Sequence, residues 1–95
     1  MKTGYVYIVA SKSRNALYIG VTSNLIQRIW QHKNEVTDGH SKKYKTHDLV
    51  HYEVFGDIER AITREKQLKN WHREWKDNLI SEHNPDWEDL YNSLM

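Results

Sequence analysis

The 95-residue sequence contains no cysteine, one proline and four glycines. Without cysteine it can form neither a disulfide nor a thiolate metal site, which suits the reducing cytoplasm, the location that we expect. The longest apolar run, residues 6–10, is far shorter than the roughly 20 residues of a membrane span, and no signal-like segment follows the first residue. We therefore expect a soluble, unprocessed protein.

Features that would separate domains are also missing. No proline occurs before Pro85, and the sequence holds no Gly/Ser-rich linker, repeat or low-complexity run. Hydrophobic residues make up 38% of the chain and include four Trp and six Tyr, which suits one globular core. We predict a single domain over residues 1–95, with a core at about 4–80 and an acidic helical tail at 81–95.

The net charge of +1 hides an uneven distribution. Residues 1–76 hold all 14 Lys and Arg against 8 acidic residues, whereas residues 77–95 hold 5 acidic residues and no basic one. A basic body fits a polyanionic partner such as nucleic acid, and solvated surface lysines explain it equally well. Charge alone does not separate these two interpretations.

The apolar pattern predicts three strands and several helices. β-Branched and aromatic runs at 5–10 and 16–21 predict an antiparallel hairpin, and 49–55 a third strand. Helices are expected at about 24–34 after a Ser23 cap, at 58–71 after an Asp57 cap, at 74–81, and after Pro85; residues 35–47 lack a period and predict a loop. The predicted fold is α/β (α+β), a three-stranded antiparallel sheet packed by helices in the order ββαβαα, plus a C-terminal helix.

Glu65 interrupts the apolar face of the second predicted helix. At 100° per residue it falls in the middle of a stripe shared by Ile58, Ala61, Ile62, Leu68 and His72. A carboxylate that faces a core is normally paired or coordinates a metal. Glu65 is therefore expected to meet a divalent cation, an arginine or enclosed water; a structural salt bridge to a nearby Lys or Arg is the alternative.

Two further pairs of residues suit chemistry on a phosphate. Arg28 and His32 lie four residues apart at the edge of the first helix, where Arg could stabilise a charged phosphate and His could position or deprotonate water. If a four-residue turn pairs residue 10 with residue 15, Tyr7 faces Tyr18 across the hairpin. Taken alone, the first pair is better explained by polar residues that an amphipathic helix shows to water, and two tyrosines across a hairpin more often serve packing than chemistry.

Other residues are candidates for contact with nucleic acid. Gly20 ends the second strand and would let a phosphate backbone approach, although a turn glycine is as good an explanation. Tyr44 could stack on a base among three lysines, and the second helix presents basic side chains around Glu65. Solvated lysines are again the alternative. The nucleic-acid-binding candidates are Gly20, Lys42, Lys43, Tyr44, Lys45, Arg64 and Lys69.

Taken in order, these motifs resemble the GIY-YIG nuclease superfamily over about residues 4–80. The resemblance is carried by Tyr5-Val6-Tyr7, by Leu17-Tyr18-Ile19-Gly20-Val21-Thr22, by Arg28 with His32, and by Arg64-Glu65-Lys66-Gln67-Leu68-Lys69. It is strongest to a small stand-alone bacterial branch, the UPF0213-like proteins. The first motif departs from the family name, because Tyr5-Val6-Tyr7 stands where Gly-Ile-Tyr would, so only Tyr7 carries a chemical role across.

The resemblance implies a metal-dependent DNA endonuclease, with a role in DNA repair or recombination. Glu65 would hold a single Mg²⁺ or Mn²⁺ ion, Arg28 would stabilise the charged phosphorus, and Tyr7 would help to deprotonate the attacking water. Tyr18 and His32 would orient that water or the phosphate. All these groups would then share one pocket. The partner would be DNA, with neither a membrane nor an obligate protein partner; the alternative is a non-catalytic nucleic-acid-binding module of the same fold.

Overall fold

A computed structural model describes residues 2–36 and 39–95, of which residues 39 and 40 are described by their backbone alone. The strands are β1 (Gly4–Ala10), β2 (Leu17–Thr22) and β3 (Asp48–Phe55). The helices are α1 (Leu25–Lys33), α2 (Gly39–Tyr44), α3 (Ile58–Lys69) and α4 (Arg73–His83), followed by a 3₁₀ turn at Tyr91–Leu94. The predicted α+β fold, an antiparallel sheet packed by helices, is confirmed.

The three strands form one antiparallel sheet in the order β2-β1-β3, so β1 is central and both other strands are edges. The expected hairpin register is wrong by two residues. Ala10 pairs with Leu17, and Tyr7 therefore lies opposite Gly20 instead of Tyr18. The turn still has four residues, but they are 12–15 instead of 11–14, because the Ser11 N–H donates to the Ala16 carbonyl at 3.0 Å and extends the pairing by one position.

Each sheet face carries its own apolar cluster. On one face α3 and α4 pack through Ala61, Leu68 and Ile80 against residues of all three strands. On the other face α1 packs through Leu25 and Ile29 against the strands. Helices α1 and α3 are thus separated by the sheet, which bears directly on the expectation that their functional residues share a pocket.

Caps and close packing set where the two main helices lie. Asp57 caps α3 as predicted, accepting from the N–H of Arg60 at 2.8 Å. The cap of α1 is Asn24 and not Ser23; its side chain accepts from the N–H of Gln27 at 3.2 Å. Gly4 allows α3 to approach β1, since a Cβ at Gly4 would lie 2.8 Å from Cβ of Ala61.

Two segments differ from the prediction. Residues 39–44 form the short helix α2 where a loop was expected. The sequence did not predict this helix because it lacks an apolar stripe; its buried residue is the polar Ser41. The expected helix after Pro85 is only the 3₁₀ turn. There, Asn84 and Asp89 accept hydrogen bonds from the backbone N–H groups of Glu88 and Tyr91, and such local bonds compete with a helix.

The C-terminal segment closes the outer edge of β3. Leu90 donates its N–H to the Leu49 carbonyl at 2.8 Å, and Asp89 accepts from the Leu49 N–H at 3.1 Å. Trp87 is buried beneath the guanidinium of Arg14, which lies 5.1 Å from its ring centre. This acidic tail therefore covers the β3 side of the sheet. In the described ranges, 2–36 and 39–95, no helix is long and apolar enough to cross a membrane.

Candidate active site

A chain of buried polar side chains links β1, α1, α2 and the start of β3. The Tyr7 hydroxyl lies 2.9 Å from Nε2 of His32, and Nδ1 of His32 is hydrogen-bonded to the Ser41 hydroxyl. The Ser41 oxygen lies 2.9 Å from Oγ1 of Thr46. Tyr7 is 1% exposed and His32 2%, so this relay is shielded from bulk water. In this low-dielectric setting its hydrogen bonds hold the imidazole in one orientation.

Tyr18 joins the relay from the edge strand. Its ring centre lies 6.4 Å from that of Tyr7 and 5.2 Å from that of His32. The two tyrosines share a face even though they are not opposite each other, because a register shift of two residues keeps every side chain on its side of the sheet. Tyr18 is half-buried, whereas Tyr7 and His32 are buried, so Tyr18 is the one of these three rings that reaches the surface.

Gly20 accommodates the Tyr7 ring. A Cβ at Gly20 would collide with the Tyr7 phenol, which lies across β2 at this position. Gly20 is itself buried. On this face the space left by the missing side chain is filled by the phenol, and contact of Gly20 with a phosphate backbone stays a prediction.

Arg28 lies one helical turn before His32 in α1 and is half-buried. Throughout residues 2–36 and 39–95, no carboxylate lies within 4 Å of its guanidinium and no side-chain hydrogen bond holds it. A half-buried guanidinium of this kind offers its donors to an anionic ligand.

Glu65 lies on the other side of the sheet, in α3. Its side chain is 15% exposed, and its Oε2 atom lies 3.1 Å from Nζ of Lys69, four residues later. The expected apolar face is narrower than predicted, since Ala61 and Leu68 are buried but Ile62 is 37% exposed. The carboxylate is thus covered without facing the core centre. That Glu65 shares a pocket with the tyrosines and Arg28 stays a prediction.

Three of the basic residues predicted to contact nucleic acid form ion pairs with carboxylates of the protein. Lys69 pairs with Glu65, and Lys45 lies 2.9 Å from Glu35, whose pKa is lowered chiefly by that hydrogen bond. Arg64 makes a two-point contact with Glu53, at 2.9 and 3.2 Å. These partners compete with a phosphate for the same cations.

The other candidates on α2 remain at the surface. Lys42, Lys43 and Tyr44 are exposed, and Nζ of Lys43 lies 5.2 Å from the centre of the Tyr44 ring. In the part of the chain that the structure describes, neither lysine has a carboxylate within 4 Å. These three residues therefore suit contact with nucleic acid better than Lys45, Arg64 and Lys69 do.

A second polar cluster lies at the opposite edge of the sheet. Nε2 of His51 is hydrogen-bonded to the Glu53 carboxylate at 2.9 Å, and the His51 ring centre lies 5.7 Å from that of His83. The hydrogen bond from His51, together with the Arg64 guanidinium, lowers the pKa of Glu53 to about 2. Because Glu53 and Arg64 neutralise each other, this cluster is an ion-paired support for β3 and α3.

Ser41 and Thr46 are members of the relay that the sequence analysis missed. Both are fully buried, and both come from the segment expected to be a loop without a period. A serine followed by two lysines carries no signal of burial. The nearest hint in the sequence is that His32 needs a partner for its second ring nitrogen if it is to be held in one orientation.

Comparison with known families identifies the arrangement. The family model described as the GIY-YIG catalytic domain matches residues 3–78. The chain belongs to the GIY-YIG family. The family is one of nucleases that generally depend on divalent metals, and the resemblance inferred from the motifs is confirmed.

The relatives of this GIY-YIG protein are UPF0213 proteins. Those of Staphylococcus saprophyticus and Staphylococcus haemolyticus are 34% and 35% identical to it over 82 residues, which are 86% of this chain and 99% of each relative. The solution structure of a UPF0213 protein from Bacillus halodurans has a TM-score of 0.58 and 26% identity, covering 92% of both chains. The chain is thus a UPF0213-like member of the family.

Proposed function

We propose that this GIY-YIG protein is an endonuclease that hydrolyses DNA phosphodiester bonds with the help of one divalent metal ion, in the cytoplasm and in DNA repair or recombination. The observation that carries the proposal is the direct contact of Tyr7 with His32, beside Tyr18 and one turn from the guanidinium of Arg28. The proposal combines a proton acceptor with a guanidinium one helical turn earlier in α1, the two kinds of group that phosphodiester hydrolysis requires.

The relay would accept the proton of the attacking water. As the oxygen of a water admitted beside Tyr18, the residue of this group that reaches the surface, forms its bond to phosphorus, the water proton would pass to the Tyr7 oxygen and the phenol proton to Nε2 of His32. Ser41, on Nδ1, keeps the imidazole turned toward Tyr7. Arg28 would stabilise the extra negative charge on the phosphoryl oxygens, and the leaving oxygen departs as its bond to phosphorus breaks.

Glu65 is the residue that would hold the metal. Hard divalent cations such as Mg²⁺ accept a single carboxylate and complete their shell with water and substrate oxygens, and the half-exposed Lys69 can turn away from Glu65 to admit one. In the described residues no cluster of three or more His, Asp or Glu suits a metal, so Glu65 would act alone. When bound, the ion would stabilise negative charge on the leaving oxygen.

For one phosphate to contact residues on both faces of the sheet, it would lie at the outer edge of β2. This strand is an edge of the sheet, so Tyr18 and Arg28 could approach the phosphate from one face and Glu65 from the other.

Plasmid nicking in Mg²⁺ and in EDTA tests this function, with Glu65→Gln as the decisive variant. The wild type is expected to nick only in Mg²⁺, and Glu65→Gln to lower the rate about 100- to 1000-fold because the carboxylate is the metal ligand. Glu59→Gln is the matched control, since it removes an exposed carboxylate from the first turn of the same helix. Full activity of Glu65→Gln, or equal loss in Glu59→Gln, would refute the assignment.

A non-catalytic nucleic-acid-binding module is the second candidate. The ion pair between Glu65 and Lys69 favours it, because a carboxylate neutralised by a lysine has less need of a metal. A protein that binds DNA equally in Mg²⁺ and EDTA but never nicks it would support this candidate and exclude the enzyme.

A further inference from the structure

A groove opens between the hairpin loop, α2 and α4. Its volume is about 500 Å³, which lies within the range of small-ligand sites and suffices for one nucleotide. Leu17 in its wall packs on the α3 and α4 side of the sheet, and Tyr44 comes from α2. The groove is lined by Asn15, Ala16, Leu17, Tyr44, Arg73 and Lys76.

The Tyr44 ring is the stacking surface of this groove. It is 46% exposed, a large value for an aromatic side chain that lines a concave site. Aromatic rings stack on nucleobases of any sequence, and each such contact contributes about 1 to 3 kcal/mol. Both faces of a base inside a duplex are already covered by its neighbours, so Tyr44 can stack only on a base that has left the duplex.

Cations around the ring suit the phosphate of the same nucleotide. Lys76 lines the groove, and Lys43 lies over the ring. Within residues 2–36 and 39–95 neither has a carboxylate within 4 Å. Arg73 has a different role, because it pairs with Asp77 at 2.7 Å and donates to the Asn15 carbonyl at 2.9 Å. It therefore holds the hairpin loop in place as one wall.

We propose that this groove binds one unpaired nucleotide of the nucleic-acid substrate, with its base on Tyr44 and its phosphate beside Lys76. The inference rests on the proposed function for its nucleic-acid partner. It narrows the substrate class to nucleic acids that contain a single-stranded segment, because Tyr44 can stack only on a base outside a duplex.

Binding measured in EDTA tests the groove without any cleavage. A fluorescent single strand of about 12 nucleotides and a blunt duplex of the same sequence are compared by anisotropy, since one such site covers roughly 4 to 16 nucleotides. Tyr44→Ala is expected to weaken single-strand binding about five- to hundredfold and duplex binding less than about twofold. Tyr44→Phe keeps the ring and is expected to bind like the wild type.

Two lysine variants separate the groove from general surface charge. Lys76→Gln is expected to weaken single-strand binding and to lower the salt dependence of that binding by about one ion. Lys66→Gln is the matched control, because Lys66 is exposed on α3 and, within the described residues, is also without a carboxylate partner. Its single-strand affinity is expected to stay within about twofold of wild type.

The outcomes separate this inference from the nuclease assignment. Equal losses on single strand and duplex, or no loss in Tyr44→Ala and Lys76→Gln, would overturn the groove. Circular dichroism shows whether Tyr44→Ala is folded. If Tyr44→Ala does not fold, single-strand binding by Lys76→Gln decides whether the groove proposal holds. If the wild type nicks plasmid in Mg²⁺ but Tyr44→Ala and Lys76→Gln bind single strands as the wild type does, the groove proposal alone is refuted. If both variants lose single-strand binding but the wild type does not nick in Mg²⁺, the nuclease proposal alone is refuted.

Discussion

Two regions of the sheet differ in whether their charged side chains are ion-paired within the protein. At the β3 edge, Glu53 receives both His51 and Arg64, so the charges there are balanced by the protein itself. Where α1 covers the central strand β1, Tyr7 and His32 form a buried polar relay, and Arg28, one helical turn before His32, lacks any carboxylate partner in the described residues. A balanced cluster stabilises the fold, whereas an unbalanced cation is available to an anionic ligand.

The two arginines should therefore respond oppositely to removal. Arg28→Ala is expected to lower the Mg²⁺-dependent nicking rate about 100- to 1000-fold, because it removes the group that stabilises the charged phosphate. Its free energy of unfolding should stay within about 0.5 kcal/mol of wild type, since it breaks no ion pair among the described residues. Nicking rates and urea unfolding measured on the same preparations check both values.

Arg64→Ala is the control for this comparison. It is expected to lower the free energy of unfolding by about 1 to 3 kcal/mol, because Glu53 and Gln67 lose their donor and Trp71 its cation. Nicking by the folded protein should change only a few-fold. The comparison fails if Arg64→Ala stops nicking at full stability, or if Arg28→Ala destabilises the protein as much as Arg64→Ala does.

Ser41→Ala tests whether the relay acts as a unit. Removing the hydroxyl frees Nδ1 of His32, so the imidazole loses its fixed orientation toward Tyr7, and we expect about a tenfold lower nicking rate. A change in the pH at which the rate falls on the acid side would separate this effect from simple destabilisation. Ser93→Ala removes an exposed hydroxyl and should change neither quantity; an identical pH profile in Ser41→Ala would argue against the relay.

The balanced edge makes a prediction about pH. The folded pKa of Glu53 is about 2, below the ordinary 4.5, so its ion pairs contribute stability fully above about pH 4.5 and lose it as the pH falls toward 2. Glu53→Gln should therefore be less stable than wild type at pH 7, and the difference should shrink between pH 4.5 and 2. Thermal unfolding across that range checks it, and a difference independent of pH would contradict an origin in the ionised Glu53 carboxylate.

Much of the fold could be read from local patterns. The apolar periods of α1 and α3 and the cap at Asp57 predicted both helices to within a few residues, and β-branched and aromatic runs predicted all three strands. The family followed from the order and spacing of the same motifs. These signals are local, because a cap or an amphipathic face depends on residues only a few positions apart.

Several features of the candidate site depend on distant residues. The hairpin register follows from a loop shifted by one position, whose carbonyls at Arg14 and Asn15 are held by Arg73 of α4. The hydrogen bond of Ser41 to Nδ1 of His32 depends on the position of α2, a short helix without an apolar stripe that would predict it. Likewise, the partners of Arg64 and Lys69 were not apparent from residue type, because a cation looks the same in a sequence whether it meets a carboxylate or solvent.

The sequence by itself determined the secondary structure of the main elements, the family, and the residue types available for chemistry. Only the tertiary structure decided which of these residues meet: Tyr7 with His32 and Ser41, Arg64 with Glu53, and Glu65 on the sheet face opposite α1. The reason is physical. Helix and strand patterns arise from interactions between near neighbours, whereas charge pairing and burial depend on distances that the packing of the whole chain sets.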